Sequence, residues 1–222
     1  MSSGSIRMRR WTFGSLRTAT SEGPSEVVKV GGSLLSLPGW PDLVAGLVHG
    51  RSSRRRVLIV MGGGAIVDGL RAIDGLAPQP AETMHFLAID LLGTTARLVA
   101  RSLALPLVGE PGAAPVAVLD VPQWLGAAGR HARLPVGWHV TSDSIAALVA
   151  AEAGADLLLA KRVPPPPTDA SPLAALARGG WVDGHFPTAA AQVARITWAA
   201  PESVPIPGVG RTLGEGGDAG GG

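Results

Sequence analysis

Short apolar runs alternate with longer segments of helical periodicity along most of the chain. Runs rich in Val, Ile and Leu are typical of strands buried on both faces, whereas apolar positions recurring every three or four residues are typical of amphipathic helices. The pattern predicts strands over residues 27–30, 57–61, 115–119, 156–161 and 195–198. It predicts helices over residues 41–49, 65–74, 81–104, 121–128, 142–152 and 171–178.

This regular alternation of strand and helix predicts the fold class. Strands that are separated by helices usually run parallel and are covered by helices on both faces. We therefore expect an α/β protein, a three-layer αβα sandwich with a mainly parallel central sheet. In such sheets ligands bind at the carboxyl ends of the strands, so the residues that follow each strand are candidates for a site.

Composition indicates one folded domain between two tails. Of the 222 residues, 46% are hydrophobic and 16% charged, which is enough for a substantial core. Residues 1–25 hold four arginines and one glutamate, so we expect a disordered basic extension there, and residues 201–222 are typical of a Pro/Gly-rich flexible tail. The folded domain is predicted over residues 26–200. Deleting residues 1–24 is then expected to leave activity and melting temperature nearly unchanged.

Composition also disfavours several functional classes. The chain has no cysteine, which excludes disulfides, thiolate metal sites and a cysteine nucleophile, and which suits a cytoplasmic enzyme. No run reaches the ~18–20 apolar residues of a membrane span, so no membrane partner is expected. The excess of arginine lies in the N-terminal extension and the remainder is close to neutral, so no nucleic acid partner is expected.

Positive charge and glycine come together at the ends of predicted strands. Lys29 lies inside the first apolar strand, and Gly-Gly-Ser follows at residues 31–33. Three glycines at residues 62–64 end the second strand and open a helix, and Lys161 ends the fourth strand. Glycines let backbone N–H groups approach an anion, and a helix N-terminus favours one. This combination suits phosphoryl transfer, which is catalysed mainly by positioning and charge neutralisation.

Simpler interpretations of these features stay open at this point. Both glycine runs can be plain strand-to-helix turns, and the Lys29 ammonium can reach water along its aliphatic stem. A P-loop is disfavoured because the lysine precedes its glycines instead of following them. A dinucleotide site is disfavoured because the glycine run lacks the GxGxxG spacing and no acidic residue closes the second strand.

Three segments, in this order and spacing, resemble the amino acid kinase family, which includes acetylglutamate, aspartate, uridylate and isopentenyl phosphate kinases. They are "VVKVGGSLL", "VLIVMGGGAIVDGL" and "VTSDSIAALVAAEAGADLLLAKRV". The resemblance runs from about residue 26 to about residue 199. It implies the amino acid kinase fold, which is that of carbamate kinase, and ATP-dependent phosphorylation of a small acceptor, with ATP and Mg²⁺ as cofactors. No metal-ligand cluster is visible in the sequence, so Mg²⁺ is implied by the chemistry alone.

A narrower resemblance is to short kinases of methanofuran biosynthesis. It rests on "LPVGWHVTSDSIAA", "HFLAI" and "GGWVDGHFP", and on Arg71 and Asp74. It implies transfer to a small phosphate monoester, aminomethyl-furanmethanol phosphate, giving the diphosphate for a one-carbon cofactor. Two positions depart from the pattern: His139 stands where an aspartate is expected, and prolines follow Lys161.

The family resemblance also implies roles for individual residues. Lys29 would stabilise charge on the transferred phosphoryl group, Asp143 would orient the lysines without acting as a base, and Lys161 would serve the nucleotide side. The residues implied to bind the nucleotide phosphates are Gly31, Gly32, Ser33, Thr141, Ser142 and Ser144. The residues implied to bind the acceptor are Gly62, Gly63, Gly64, Asp68, Arg71 and His85.

Alternatives to these roles and to this reaction stay open. Asp143 can be an ordinary acid in the first turn of a helix, Arg71 can pair with Asp68 or Asp74, and His85 can be structural. The acceptor can instead be UMP, isopentenyl phosphate or an amino-acid carboxylate. The chain can also be a non-catalytic nucleotide-binding protein with a storage or regulatory role. Because relatives commonly dimerise, a homodimer is expected.

Overall fold

A computed structural model of the chain describes residues 8–13, 24–52, 55–112, 114–165 and 173–201. Within these residues, seven strands form one sheet in the order β1-β7-β6-β2-β3-β5-β4. All neighbouring strands are parallel except β1 and β7, which are antiparallel. The strands are β1 (Met8–Phe13), β2 (Glu26–Val30), β3 (Val57–Met61), β4 (Leu107–Val108), β5 (Val116–Leu119), β6 (Asp156–Ala160) and β7 (Ile196–Pro201).

The described chain also contains seven α-helices and two short 3₁₀ helices, Gly32–Ser36 and Ala127–Arg133. The α-helices are α1 (Trp40–Ser52), α2 (Ala65–Leu76), α3 (Ala81–Ser102), α4 (Val121–Gly126), α5 (Ser142–Ala153), α6 (Leu173–Arg178) and α7 (Phe186–Ala189). None of these helices combines the length and the apolar character needed to cross a lipid bilayer.

The central strands show why the sheet is covered on both faces. Successive side chains of a strand point to opposite faces, and every residue of β2 and β3 is buried. Val27 packs in one apolar cluster with residues of α3, α4 and α5. Val28 and Val30 pack in a second cluster with residues of α1 and the end of α3. The predicted fold class, a mainly parallel sheet between helical layers, is therefore confirmed.

The apolar pattern also locates most elements correctly. All five predicted strands and all six predicted helices are present, with ends that differ by up to three residues within the described part of the chain. The sequence does not predict β1, the two-residue β4 or the four-residue α7. Helix α4 ends at Gly126 because Ala128 and Gly129 adopt positive φ angles of 55° and 64°, which no α-helix tolerates.

Strand β1 differs from the prediction of a disordered extension over residues 1–25. Met8–Phe13 pairs antiparallel with β7, and Trp11 packs against the core. Its partner strand lies near residue 200, so no local pattern could reveal the pairing. Deleting residues 1–24 would remove an edge strand and is now expected to destabilise the fold. Residues 1–7, 14–23 and 202–222 lie outside the described residues, and the domain boundaries stay a prediction.

Candidate active site

A cavity of about 330 Å³ lies at the carboxyl ends of the central strands. Its walls come from the turns that follow β2 and β3, from the N-terminus of α5, and from the segment 180–184 that precedes α7. The start of α2 and one face of α3 close the other side. The cavity therefore occupies the edge of the sheet where an α/β fold is expected to bind a ligand.

Two lysines meet one aspartate at this cavity. The Lys29 ammonium, carried by β2, lies 2.8 Å from Asp143 Oδ1 as an ion pair. Lys161, which follows β6, donates hydrogen bonds to Asp143 Oδ2 at 2.6 Å and to the Trp181 carbonyl at 3.0 Å. The three charged side chains are only 6%, 5% and 16% exposed, for Lys29, Asp143 and Lys161 respectively. Lys29 and Lys161 are the only two lysines of the chain.

The electrostatics of this trio leave one positive charge in excess. Burial raises the pKa of the Asp143 carboxyl, but the two neighbouring ammonium groups outweigh it and hold that pKa at about 2. Burial, together with the charge of Lys29, lowers the pKa of Lys161 to about 8. At neutral pH one carboxylate thus faces two ammonium groups. A buried surplus charge is costly, so the trio favours a further negative charge, which Asp183 supplies in part and which a bound anion can also supply.

The two glycine turns touch each other beside the trio. A Cβ atom on Gly32 would lie 2.1 Å from Gly64 N and 2.6 Å from Gly63 C. Gly64 also has a φ of 54°, a conformation that favours glycine. Only glycine permits this approach, so the absence of side chains is what allows two backbone segments to line the same cavity.

Three glycine N–H groups at this contact have no protein acceptor. The N–H groups of Gly31 and Gly62 donate to the Ala160 and Val30 carbonyls at 2.8 Å each and so extend the sheet. Within the part of the chain that the structure describes, the N–H groups of Gly32, Gly63 and Gly64 donate to no acceptor, although these residues line the cavity. Unpartnered N–H groups beside a surplus positive charge form a natural anion site.

Helix α5 begins at the cavity with its first turn fixed from two directions. The hydroxyl of Thr141 accepts a hydrogen bond from Asp143 N at 3.3 Å, as an N-cap does. The carboxylate of Asp183, from the segment before α7, accepts hydrogen bonds from the backbone N–H groups of Thr141 and Ser144 at 2.9 and 3.0 Å. Asp143 is therefore presented to the lysines by a rigid helix start.

The far wall of the cavity carries a second cationic group. Arg71 pairs with Asp68 at 3.1 Å, and its guanidinium lies 4.9 Å from the centre of the Trp138 ring. The indole N–H of Trp138 donates a hydrogen bond to Asp74 at 2.7 Å. The pKa of Asp74 is lowered, first by the hydrogen bond from Gln79 N and second by this bond from Trp138. Arg71 is thus held on α2 at the rim, while its side chain stays 41% exposed to an arriving ligand.

His85 lines the same wall as a neutral imidazole. Its Nδ1 accepts a hydrogen bond from Gly137 N at 3.4 Å, and burial lowers its pKa. An accepting Nδ1 places the ring proton on Nε2. His85 can therefore act as a hydrogen-bond donor to a ligand, and it also supports the loop that carries Trp138.

Twelve of the fifteen site residues chosen from the sequence line this one cavity. They are Lys29, Gly32, Gly62, Gly63, Gly64, Asp68, Arg71, His85, Thr141, Ser142, Asp143 and Lys161. The other three, Gly31, Ser33 and Ser144, are not part of the lining. The hydroxyl of fully buried Ser144 donates to Asp183, and Ser33 is exposed outside the cavity.

Besides apolar residues and glycines, the cavity wall contains four residues with polar or aromatic side chains that were not chosen from the sequence as site residues. They are Trp138, His139, Trp181 and Asp183. Their segments are noticeable in the sequence, since each contains glycine beside tryptophan, but nothing local shows which helix a loop will contact. Of the proline run after Lys161, residues 166–167 lie outside the described residues, so its effect on nucleotide binding stays a prediction.

The contact between the glycine turns can be tested by adding one methyl group. We expect Gly32→Ala to lower the free energy of unfolding by about 1–3 kcal/mol, because its Cβ would meet the backbone of residues 63–64. Gly69→Ala in α2 is the matched control: no atom lies within 4 Å of its Cβ, so it should stabilise by about 0.5–1 kcal/mol. Urea denaturation measures both. Equal stability of Gly32→Ala and the wild type would contradict the observed contact.

Burial, together with the charge of Lys29, predicts an unusual titration of Lys161. A protein labelled with isotope at lysine Cε gives two lysine NMR signals, which Lys161→Arg assigns. We expect Lys161 to titrate near pH 8 instead of its ordinary 10.5. The unfolded chain then binds more protons between these values, so this group's contribution to stability rises with pH across that window. A midpoint near 10.5 would contradict the buried position of Lys161 beside Lys29.

Comparisons with known proteins agree with this architecture. Residues 26–123 match the model of the amino acid kinase family, and no curated protein matches the chain. The solved structures that resemble it include UMP kinase from Bacillus anthracis, with 15% identity over 76% of this chain and 83% of that chain and a TM-score of 0.51. Uridylate kinase from Archaeoglobus fulgidus has 18% identity over 65% of this chain and 68% of that one, with a TM-score of 0.47. UMP kinase from Ureaplasma parvum has 15% identity, 62% and 68% coverage, and a TM-score of 0.47. Residues 26–123 thus carry an amino acid kinase family match, within a chain that shares the mixed α/β fold of the Bacillus UMP kinase.

Proposed function

We propose that this protein is an ATP-dependent kinase of a small phosphate monoester, with aminomethyl-furanmethanol phosphate as the acceptor and its diphosphate as the product. The observation that carries the proposal is the surplus buried charge of Lys29, Lys161 and Asp143 beside three unpartnered backbone N–H groups. Phosphoryl transfer needs this combination of fixed positive charge and directed donors, because its transition state spreads negative charge over several oxygens.

The contact of the two glycine turns supports a reaction between two anions. The turn after β2 and the turn after β3 approach closely enough that Gly32 touches Gly64. One turn can bind the terminal phosphate of ATP while the other binds the acceptor, and the transferred group then lies between them. Lys29, which lies in the strand leading to the first turn and lines the cavity, would neutralise charge on that group.

No general base is required for an acceptor that is already a phosphate. Its oxygen is ionised near neutral pH, so it attacks the terminal phosphorus of ATP directly and ADP leaves. Asp143 is unsuited to act as a base, because its pKa of about 2 makes it a very weak one. Its carboxylate instead holds both ammonium groups in place, and Arg71 on the far wall can bind the acceptor phosphate.

Magnesium fits the site only as a partner of the nucleotide. Among the described residues, no three carboxylate or imidazole side chains surround a common point. Mg²⁺ commonly keeps several waters and binds through substrate phosphates. The phosphates of ATP and water would therefore supply most of its ligands here. When bound, it would neutralise part of the triphosphate charge, and the lysines would neutralise the rest.

The size of the cavity favours a small acceptor. At about 330 Å³ it lies at the lower end of the range for ligand sites, and it must also admit the end of the triphosphate. The choice of the furan phosphate over other small phosphates rests on the sequence resemblance of the segments around Trp138 and Asp183. ADP release should therefore be measured with Mg-ATP and five acceptors: aminomethyl-furanmethanol phosphate, UMP, isopentenyl phosphate, aspartate and acetylglutamate.

We expect turnover with the furan phosphate alone. Turnover with another acceptor would keep the kinase activity and reject the substrate, whereas silence with all five, while ATP still binds, would favour a storage or regulatory protein. In the active case, Lys29→Ala should lower turnover by about 10²–10³-fold and change ATP affinity much less. Arg101→Ala, which removes an exposed positive charge far from the cavity, should leave the rate unchanged. An undiminished rate of Lys29→Ala would remove Lys29 from the mechanism.

A further inference from the structure

The carboxylate of Asp183 is the most heavily hydrogen-bonded side chain described around the cavity. Its Oδ2 accepts from Thr141 N at 2.9 Å, from Thr141 Oγ1 at 2.8 Å and from Ser144 N at 3.0 Å. Its Oδ1 accepts from Ser144 Oγ, from His185 N at 3.1 Å and from Phe186 N at 2.9 Å. Six donors share about four lone-pair sites of this carboxylate, so neither oxygen has a free site.

These bonds hold the backbone on both sides of Asp143 in the sequence. Thr141 and Ser144 stand two residues before and one residue after Asp143, and Asp183 holds the backbone of both. The N–H groups of a first helical turn are usually satisfied by an acid or hydroxyl of that same turn. Here Asp183 supplies much of that function from another segment, so the carboxylate of Asp143 stays available to the two lysines.

The segment that carries Asp183 also holds Lys161. The carbonyl of Trp181 accepts a hydrogen bond from the Lys161 ammonium at 3.0 Å, and the Trp181 ring packs at 6.3 Å from Trp198. One short segment thus contacts the aspartate's helix and one of its lysine partners. The charged groups that face Lys161 are Lys29 from β2, Asp143 from α5 and Asp183 from this segment, and the last of these supports the protonated form.

We propose that Asp183 is the positioning residue of the site: it fixes the start of α5 so that Asp143 holds Lys29 and Lys161 at the distance that phosphoryl transfer requires. The proposal rests on the proposed kinase function for its kinetic part only. Asp183 does not act on the reacting atoms, because both of its oxygens are already occupied by protein donors. The rival role for a carboxylate in this cavity is that of a magnesium ligand, which needs an oxygen free of such donors.

Replacing Asp183 by Asn tests the proposal with little change in volume. The amide of Asn keeps one oxygen that accepts hydrogen bonds, but its NH₂ group is itself a donor. The three donors that face this NH₂ group therefore lose their hydrogen bonds. Asp183→Glu restores the charge on a longer stem and serves as the conservative variant. Asp42→Asn, an exposed acid in the first turn of α1, is the matched control for loss of one negative charge.

The first readout needs no catalysis. In lysine-labelled protein, we expect Asp183→Asn to shift both lysine signals and to lower the titration midpoint of Lys161 below the wild-type value, with Asp42→Asn unchanged. The second readout is kinetic: kcat should fall by about 10²-fold while KM for ATP changes by less than about threefold, and Asp183→Glu should recover part of kcat.

The outcomes separate the proposal from its rivals. Lower thermal stability of Asp183→Asn with both lysine signals and the Lys161 titration midpoint unchanged would overturn it in favour of a merely structural role. A raised Mg²⁺ requirement with unchanged lysine signals would overturn it in favour of a metal ligand. If the wild type phosphorylates none of the acceptors, the proposed function fails, but shifted lysine signals in Asp183→Asn would still support the positioning role.

Discussion

The contact of two buried ammonium groups with one buried carboxylate is the interaction on which the site depends. Each of these ions costs several kcal/mol to remove from water, and only their mutual pairing offsets that cost. Two adjacent parallel strands supply the lysines: Lys29 lies beside Leu159 in the register of β2 and β6, and Lys161 comes one residue after β6 ends. Helix α5, which connects back into β6, packs over β2 and supplies Asp143.

A pairing of this kind also explains why the site is prepared for a ligand. The trio holds two positive charges and one negative charge, and the oxygens of nearby Asp183 are occupied by protein donors, so an anion can still pair with the two ammonium groups. The glycine turns add backbone donors at the same place, and their contact requires that neither turn carries a side chain. These buried charges are costly to stability, and perturbed groups of this kind cluster at ligand-binding and catalytic sites.

The sequence reveals the parts of this arrangement that depend on local pattern. Apolar runs mark the central strands, glycine runs mark the turns after them, and Lys29 stands out because lysine is unusual inside a buried strand. The parallel sheet then brings the ends of β2, β3 and β6 together, which is why twelve of the fifteen chosen residues share one cavity.

The remaining features depend on contacts between distant segments. Asp183 lies about forty residues from the helix start that it holds, and a Val-Asp-Gly turn gives no sign of its partner. The hydroxyl of Ser144 looks available for a phosphate in sequence, but the fold turns it toward Asp183. Strand β1 has two adjacent arginines and no alternating apolar pattern, and its partner is the distant strand β7, so local sequence does not predict it.

Binding of Mg-ATP to lysine-labelled protein tests the central claim most directly. If the trio is the phosphate site, both lysine signals shift on binding, and the titration midpoint of Lys161 rises because the nearby phosphate favours the charged ammonium. The chain has two lysines and both belong to the trio, so the lysine signals report on this site alone. ATP binding by calorimetry with both lysine signals and the Lys161 midpoint unchanged would contradict the account, because the nucleotide would then lie elsewhere.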